Sequence, residues 1–212
     1  MKTLLLLASC LILVAVPASA QTVYSNGPIN GNTDAWSVSF GFVISDTFNV
    51  VNNGTTITGT TLGVWLNPGD TFSDVELSIT SGENSGTSYF DQTVNFVQGV
   101  CTMNQFGYEV CQELGTFNGP TLNTGTYWLN LQNCEGPPNC DAAYWDENSG
   151  PSMASENTVG SIPSEAFTIL GTSSSTTTST TGTTTSVPEP SSIMLLGSGV
   201  LGLAGLVRRR LF

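Results

Sequence analysis

Residues 21–171 contain short stretches in which apolar and polar residues alternate, separated by turn residues. This pattern predicts a body built of β-strands. Val75, Leu77 and Ile79 alternate with polar residues, as the inward side chains of a half-buried strand do. Apolar residues rarely recur at intervals of three and four residues, which is the spacing that an amphipathic helix requires. Turn signals such as Asn52-Asn53-Gly54 divide the candidates. The other candidate strands are 36–42, 47–51, 56–66, 89–97, 105–112, 125–131 and 166–170. We therefore expect an all-β, antiparallel β-sandwich, jelly-roll-like, of about eight strands.

This body contains no Lys, Arg or His. The four basic residues lie at the ends of the chain, at Lys2, Arg208, Arg209 and Arg210, whereas all but one of the sixteen acidic residues lie in the body. Without cations the body cannot neutralise phosphates or an anionic bilayer surface, which excludes nucleic-acid binding. Without His or Lys, Ser/His/Asp, Cys/His and Schiff-base catalysis are excluded as well. Only carboxylate or metal chemistry remains.

The N-terminus has the form of a secretory signal helix. Lys2 precedes an apolar run from Leu4 to Val16, and Pro17 is followed by Ala18-Ser19-Ala20, the small-x-small pattern that signal peptidase cleaves. The mature chain is then expected to begin at Gln21. Leu7-Ala8-Ser9-Cys10 also resembles a lipoprotein signal, but this alternative is weaker because the apolar run continues past Cys10.

The C-terminus has three parts in order. Val187-Pro188-Glu189-Pro190 precedes an apolar stretch, Ile193 to Val207, and the Arg208-Arg209-Arg210 cluster follows. A helix over the apolar stretch would be about 22 Å long, marginal for a membrane span. The arginines would keep its end cytoplasmic and leave the body outside. A simple tail anchor would explain this arrangement, but the order of the parts resembles the PEP-CTERM sorting signal.

That resemblance implies a processing route. Exosortase, a membrane transpeptidase-like enzyme, would remove the transiently inserted helix and pass the body to the outer envelope or the extracellular matrix of a Gram-negative bacterium that makes exopolysaccharide. Between body and signal, residues 172–187 are mostly Thr and Ser, a composition typical of a solvated linker. The expected organisation is a signal peptide (1–20), a body (21–171), a linker (172–187) and a sorting signal (188–212). The sorting signal indicates where the protein is delivered and does not indicate its activity.

Four cysteines remain in the exported chain: Cys101, Cys111, Cys134 and Cys140. An even number in an exported protein favours disulfides, for which three pairings exist. Proximity favours Cys101 with Cys111 and Cys134 with Cys140. Zinc is the alternative, although neither spacing is the two-residue knuckle and no His is present.

Parts of the body resemble a recurrent region of PEP-CTERM exported proteins that has no assigned activity. The matching segments are Gly125–Asn133, Tyr144–Pro151 and Ile162–Ile169, with Leu62–Trp65 and Gly69-Asp70 upstream. The resemblance implies export and a β-sandwich.

Tyr144-Trp145-Asp146-Glu147-Asn148 is the candidate glycan contact, because rings stack on pyranoses while Asp and Asn bond their hydroxyls. The alternative is that both rings are core residues and both acids are solvated loop charges. Oxygen ligands from Asp141, Asp146, Glu147 and Asn148, or from Asp70 and Asp74, are candidates for Ca²⁺. The alternative there is a solvated acidic surface.

Carboxylate pairs could also hydrolyse glycosides if they lay about 5 to 9 Å apart across a substrate. Glu109 with Glu113, or Asp146 with Glu147, are the candidates. Nothing else in the sequence indicates catalysis. We expect a structural or glycan-associated envelope or matrix protein, not an enzyme. A Ca²⁺-assisted carbohydrate-binding module comes second, and a carboxylate glycosidase third.

Overall fold

The structure is a computed structural model that describes residues 20–134 and 142–173. The chain divides into two units, Met1–Ser175 and Thr176–Phe212. The second unit, with the predicted membrane helix and sorting signal, lies outside the described residues, as do the signal helix and most of the linker. Within residues 20–134 and 142–173, no helical segment has the length and apolar character needed to span a bilayer.

The described residues form an all-β structure in which the paired strands run antiparallel. The strands are β1 (Gln21–Ser25), β2 (Ala35–Ser37), β3 (Val43–Val50), β4 (Thr55–Leu66), β5 (Asp74–Gly82), β6 (Ser85–Met103), β7 (Glu109–Thr116), β8 (Thr121–Leu122), β9 (Gly125–Gln132), β10 (Tyr144–Asp146), β11 (Ala154–Glu156), β12 (Gly160–Ile162) and β13 (Phe167–Ser173).

The strand count differs from the expected eight. Thirteen strands occur in the described residues, and the additional ones are β1, β8, β10, β11 and β12. Each has five residues or fewer, too few for alternation to stand out from the surrounding loops.

One continuous sheet curls around the core. Its order is β1-β13-β4-β7-β6-β5-β9-β3-β11-β12, with β2, β8 and β10 attached at the side. The nineteen-residue β6 joins the two halves, because its first part pairs with β5 and its last part with β7. Tyr24 of β1 and Phe48 of β3 lie far apart in this order, yet their ring centroids are 6.5 Å apart. The two halves therefore face each other as in a sandwich, and the jelly-roll order stays a prediction.

The core lies between these two halves. Its largest fully buried side chains are Trp145, Phe48, Phe72 and Phe167. Trp145 reaches it from β10, with its ring centroid 5.5 Å from that of Phe167 on β13. Apolar side chains from β3, β4, β5, β6 and β9 supply most of the rest of the core.

The Cys101–Cys111 disulfide is confirmed. The two cysteines are directly opposite in the β6–β7 ladder, with Cα atoms 4.0 Å apart. The bond joins β6 to β7 near their shared turn. The second predicted pair, Cys134 with Cys140, lies partly outside the described residues because Cys140 is not among them, and it stays a prediction.

The expected strand over residues 36–42 is wrong beyond Ser37. Phe40 has a φ of 61° and Gly41 a φ of 87°, and the Phe42 amide donates to the Ser39 carbonyl oxygen at 3.2 Å. These residues form a turn that ends the alternation. Phe40, which lies within the predicted strand, is 75 % exposed as a result.

Candidate functional site

Six carboxylates are buried in this cation-free body: Asp46, Glu113, Asp146, Glu147, Glu156 and Glu165. Burying a carboxylate is costly unless hydrogen bonds or an opposite charge compensate for lost water. Because no basic side chain lies between residues 21 and 187, compensation from the body must come from uncharged donors. The buried acids therefore differ according to how many donors each one has.

Asp146 is fully compensated on the outer side of β10. Its oxygens accept hydrogen bonds from the backbone amides of Asn30 and Gly31, at 2.8 and 3.0 Å, and from Trp65 Nε1 at 2.6 Å. These bonds hold the segment before β2 against the sheet. A side chain at Gly63 would collide there, because an added Cβ would lie 2.9 Å from Ile29. Burial nevertheless raises the pKa of Asp146, and the hydrogen bonds oppose that rise.

Asp46 faces the core from β3 and is also compensated. Oδ1 accepts a hydrogen bond from the Thr47 amide at 2.6 Å, and Oδ2 accepts one from the Glu165 amide at 2.7 Å. Asn26 Nδ2 lies 3.3 Å from Oδ2. Burial raises the pKa of Asp46 to about 6, although the accepted hydrogen bonds act in the opposite direction.

Asn148 belongs to the same buried network. Its Nδ2 donates to the Asn26 carbonyl oxygen at 2.8 Å, and its Oδ1 accepts from the Gly150 amide at 2.8 Å and from Ser164 Oγ at 3.0 Å. Both ends of this side-chain amide are thus used inside the protein. The network ties the segment after β10 to the end of β1 and to the approach to β13.

Glu147 and Glu165 form the least compensated pair. They lie opposite each other in an isolated antiparallel bridge that follows β10. Glu147 Oε2 accepts a hydrogen bond from Trp36 Nε1 at 3.2 Å. Glu165 is fully buried, and neither of its carboxylate oxygens has a hydrogen-bond partner. Burial, and then the negative charges of Asp46, Glu147, Asp146 and Asp34, raises the pKa of Glu165 well above its usual value.

The structure brings together only part of the predicted glycan motif. Trp145 is fully buried, and its Nε1 donates to the Ala166 carbonyl oxygen at 3.1 Å. The acids beside it are buried, so the alternative that both are solvated loop charges is wrong. Tyr144 alone in the motif is half-exposed, and it lines a recess of about 130 Å³ with Asp34, Ala35, Trp65 and Tyr108.

Neither candidate hydrolytic pair spans a cleft. Asp146 and Glu147 are consecutive, and their side chains point to opposite sides of the chain. Glu109 and Glu113 are four residues apart on β7, which separates them by about 13 Å along the strand. Glu113 is fully buried and its two oxygens have no hydrogen-bond partner.

Those predicted calcium ligands that lie in the described residues do not gather into one metal site. Asp141 lies outside the described residues, and Asp70 accepts a hydrogen bond from Asn67 in the turn before β5. In the part of the chain that the structure describes, no group of three or more Asp, Glu, Cys or His side chains is placed to hold a metal ion. The sequence reasoning missed Asp46 and Glu165. Asp46 lies two residues before Phe48, and Glu165 lies two residues before Phe167. In an extended chain residues two apart point to the same side, so this spacing from a core aromatic residue would have predicted both acids to face inward.

The comparisons with known proteins concern the tail. Residues 186–210 match the PEP-CTERM protein-sorting motif. This range contains the predicted Pro188-Glu189-Pro190 element, the apolar stretch and the arginine cluster in the expected order. No curated protein matches the chain. The chain thus carries a PEP-CTERM sorting signal, which implies an exported protein that is anchored in the membrane and processed by exosortase.

Proposed function

We propose that the body is a structural protein of the outer envelope or the exopolysaccharide-containing extracellular matrix. The observation that carries this proposal is the use of the aromatic and acidic motif inside the protein. Trp145 packs in the core, Asp146 anchors the segment before β2, and Asn148 joins three loops. A motif built for a ligand would leave such groups without internal partners.

The proposal predicts the mature form and its destination. Protein recovered from its host should begin at Gln21, lack Ile193 to Phe212, and fractionate with the outer envelope or matrix. Replacing Pro188, Glu189 and Pro190 with alanine should leave the tail attached and the protein in the inner membrane. Intact mass and cell fractionation measure both. Wild-type protein that keeps its whole tail would contradict the sorting step, and a correctly cut protein absent from envelope and matrix would contradict the structural role.

A carbohydrate-binding function is the second candidate, and the recess beside Tyr144 favours it. Tyr108 and Tyr144 meet edge to face with centroids 5.8 Å apart, Trp65 lies 5.8 Å from Tyr108, and the exposed Asp34 carboxylate borders the recess. Rings next to a carboxylate suit a sugar that stacks and donates its hydroxyls.

The recess gives a direct test of binding. If it holds a sugar, Tyr108→Ser should weaken retention of the exported protein on the host's exopolysaccharide by about tenfold, the equivalent of one lost stacking contact. Tyr89→Ser, which removes a partly exposed ring on β6, is the matched control. Equal retention of both variants would exclude this recess. Shortened polysaccharide chains after incubation would indicate a glycosidase instead.

A further inference from the structure

The bridge between Glu147 and Glu165 places two carboxylates side by side. The Asn148 amide donates to the Ser164 carbonyl oxygen and the Ala166 amide to the Asp146 carbonyl oxygen, each at 2.7 Å. These bonds flank the Glu147–Glu165 pair, which makes it a non-hydrogen-bonded pair, the closer kind, with Cα atoms about 4.5 Å apart. Both side chains lie on the same face of the ladder. Like charges in this position destabilise a sheet.

Nothing in the body neutralises this pair. The carboxylate oxygens of Glu165 have no hydrogen-bond partner, and the nearby Asp46 and Asp146 add negative charge. No Lys, Arg or His occurs between residues 21 and 187. A buried, unpartnered carboxylate next to other carboxylates has two ways to be stabilised: it takes up a proton, or it binds a cation from outside the chain.

The hydrogen bonds decide which carboxylates are available to a cation. Both oxygens of Asp46 and both of Asp146 already accept N–H donors. Glu165 has no such donor at either oxygen, and Glu147 accepts from Trp36 Nε1 at Oε2. In the described residues no group of three or more Asp, Glu, Cys or His side chains is placed for a metal, so the site has at most two such ligands.

We propose that Glu147 and Glu165 together bind one divalent cation, Ca²⁺, at the end of the core beside Trp36. Ca²⁺ is a hard cation that accepts bidentate carboxylates and flexible geometry, so two glutamates and water can complete its six to eight oxygens. Glu147 is 8 % exposed and Glu165 is fully buried, so Glu147 is the member of the pair nearer to solvent. Extracellular calcium modules bind with dissociation constants of about 10⁻⁴ to 10⁻³ M, and this site belongs in that range. The site goes beyond the proposed function, because a structural body and a glycan-binding body could both contain it.

Terbium luminescence tests the site directly, because Tb³⁺ replaces Ca²⁺ at oxygen sites and its emission is sensitised by a nearby tryptophan or tyrosine ring. Trp36 Nε1 lies 3.2 Å from Glu147 Oε2, so bound Tb³⁺ should emit on excitation of tryptophan. Added Ca²⁺ should displace it. Glu165→Gln and Glu147→Gln should each reduce the affinity at least tenfold, whereas Asp91→Asn, an exposed acid on β6, should leave it unchanged.

Thermal melting of the same exported proteins at pH 7.5 separates the cation from the proton. About 10 mM Ca²⁺ should raise the midpoint of the wild type relative to EDTA, since a ligand bound only to the native state stabilises it. Glu165→Gln should melt above the wild type in EDTA, because like-charge repulsion is gone, and should lose the response to Ca²⁺. Wild-type protein without a Ca²⁺ response, or glutamine variants that keep it, would overturn the proposal. In the first case the alternative holds, and a proton on Glu165 stabilises the bridge instead of a cation.

Discussion

Replacing Trp145 with alanine is expected to lower the free energy of unfolding by about 3 to 5 kcal/mol, the usual cost of truncating a large buried aromatic residue. Trp145 is fully buried, lies opposite Trp36 and Val64 in its two ladders, and donates its indole N–H to the Ala166 carbonyl oxygen. Alanine would leave a cavity and remove one of two hydrogen bonds to this carbonyl oxygen, which also accepts from the Gly63 amide. Chemical denaturation of the exported protein measures the loss.

Trp128→Ala is the matched control for this variant. Trp128 lies on β9 with its side chain on the outer face and half-exposed, so its truncation should cost much less. A Trp145→Ala protein with wild-type stability would show that the ring does not support the core. Loss of polysaccharide retention by that stable variant would revive the original glycan-contact interpretation of the motif.

Stability is expected to fall as the pH rises from about 4.5 to about 8, because Glu113 is buried without a partner. Burial raises the pKa of Glu113 from 4.5 to about 8. Between these values the folded protein holds a proton that the unfolded chain has released, so the free energy of unfolding decreases with pH. The stabilisation is fully present below pH 4.5 and is lost once the pH passes the folded pKa. At about 1.4 kcal/mol per pH unit between 4.5 and about 8, the total change is roughly 5 kcal/mol.

Glu113→Gln isolates this effect from the other carboxylates. Glutamine keeps the shape and stays neutral, so the variant should lose that part of the pH dependence and exceed the wild type at pH 8. Glu109→Gln, on the same strand but partly exposed, should follow the wild-type curve. The two curves are compared by urea denaturation across this pH range. A Glu113→Gln protein with an unchanged slope would mean that the carboxyl group ionises freely in the folded state.

Long alternating segments allowed the strand content to be predicted. Thr56–Leu66, predicted as one strand, corresponds to β4, and Gly125–Leu131 corresponds to β9. The short strands were not predicted because tertiary contacts, and not their own sequence pattern, hold them in an extended conformation. β10 has three residues and is held by β2 on one side and β4 on the other. The curling of the sheet depends on which strands meet, and a single sequence does not contain that information.

The candidate site was predicted less well for the same reason. Glu147 was selected because it lies beside two aromatic residues, but its partner Glu165 is eighteen residues later, and only the bridge reveals the pair. Sequence composition shows that no cation is present to neutralise buried acids. It does not show that acids are buried. Asp46 could have been found, because Ile44, Asp46 and Phe48 share one strand parity, but the predicted strand began only at Thr47.

The position of β13 determines how the body would respond to mechanical tension. This strand leads directly into the linker, and it lies between β1 and β4 with hydrogen-bonded neighbours on both sides. If a load on the linker acts along β13 and is taken up by β4, that ladder is sheared and its hydrogen bonds must break together. An edge strand peeled from its end would release them one at a time. A body that is tethered through its C-terminus would therefore resist force best when the force acts along β13.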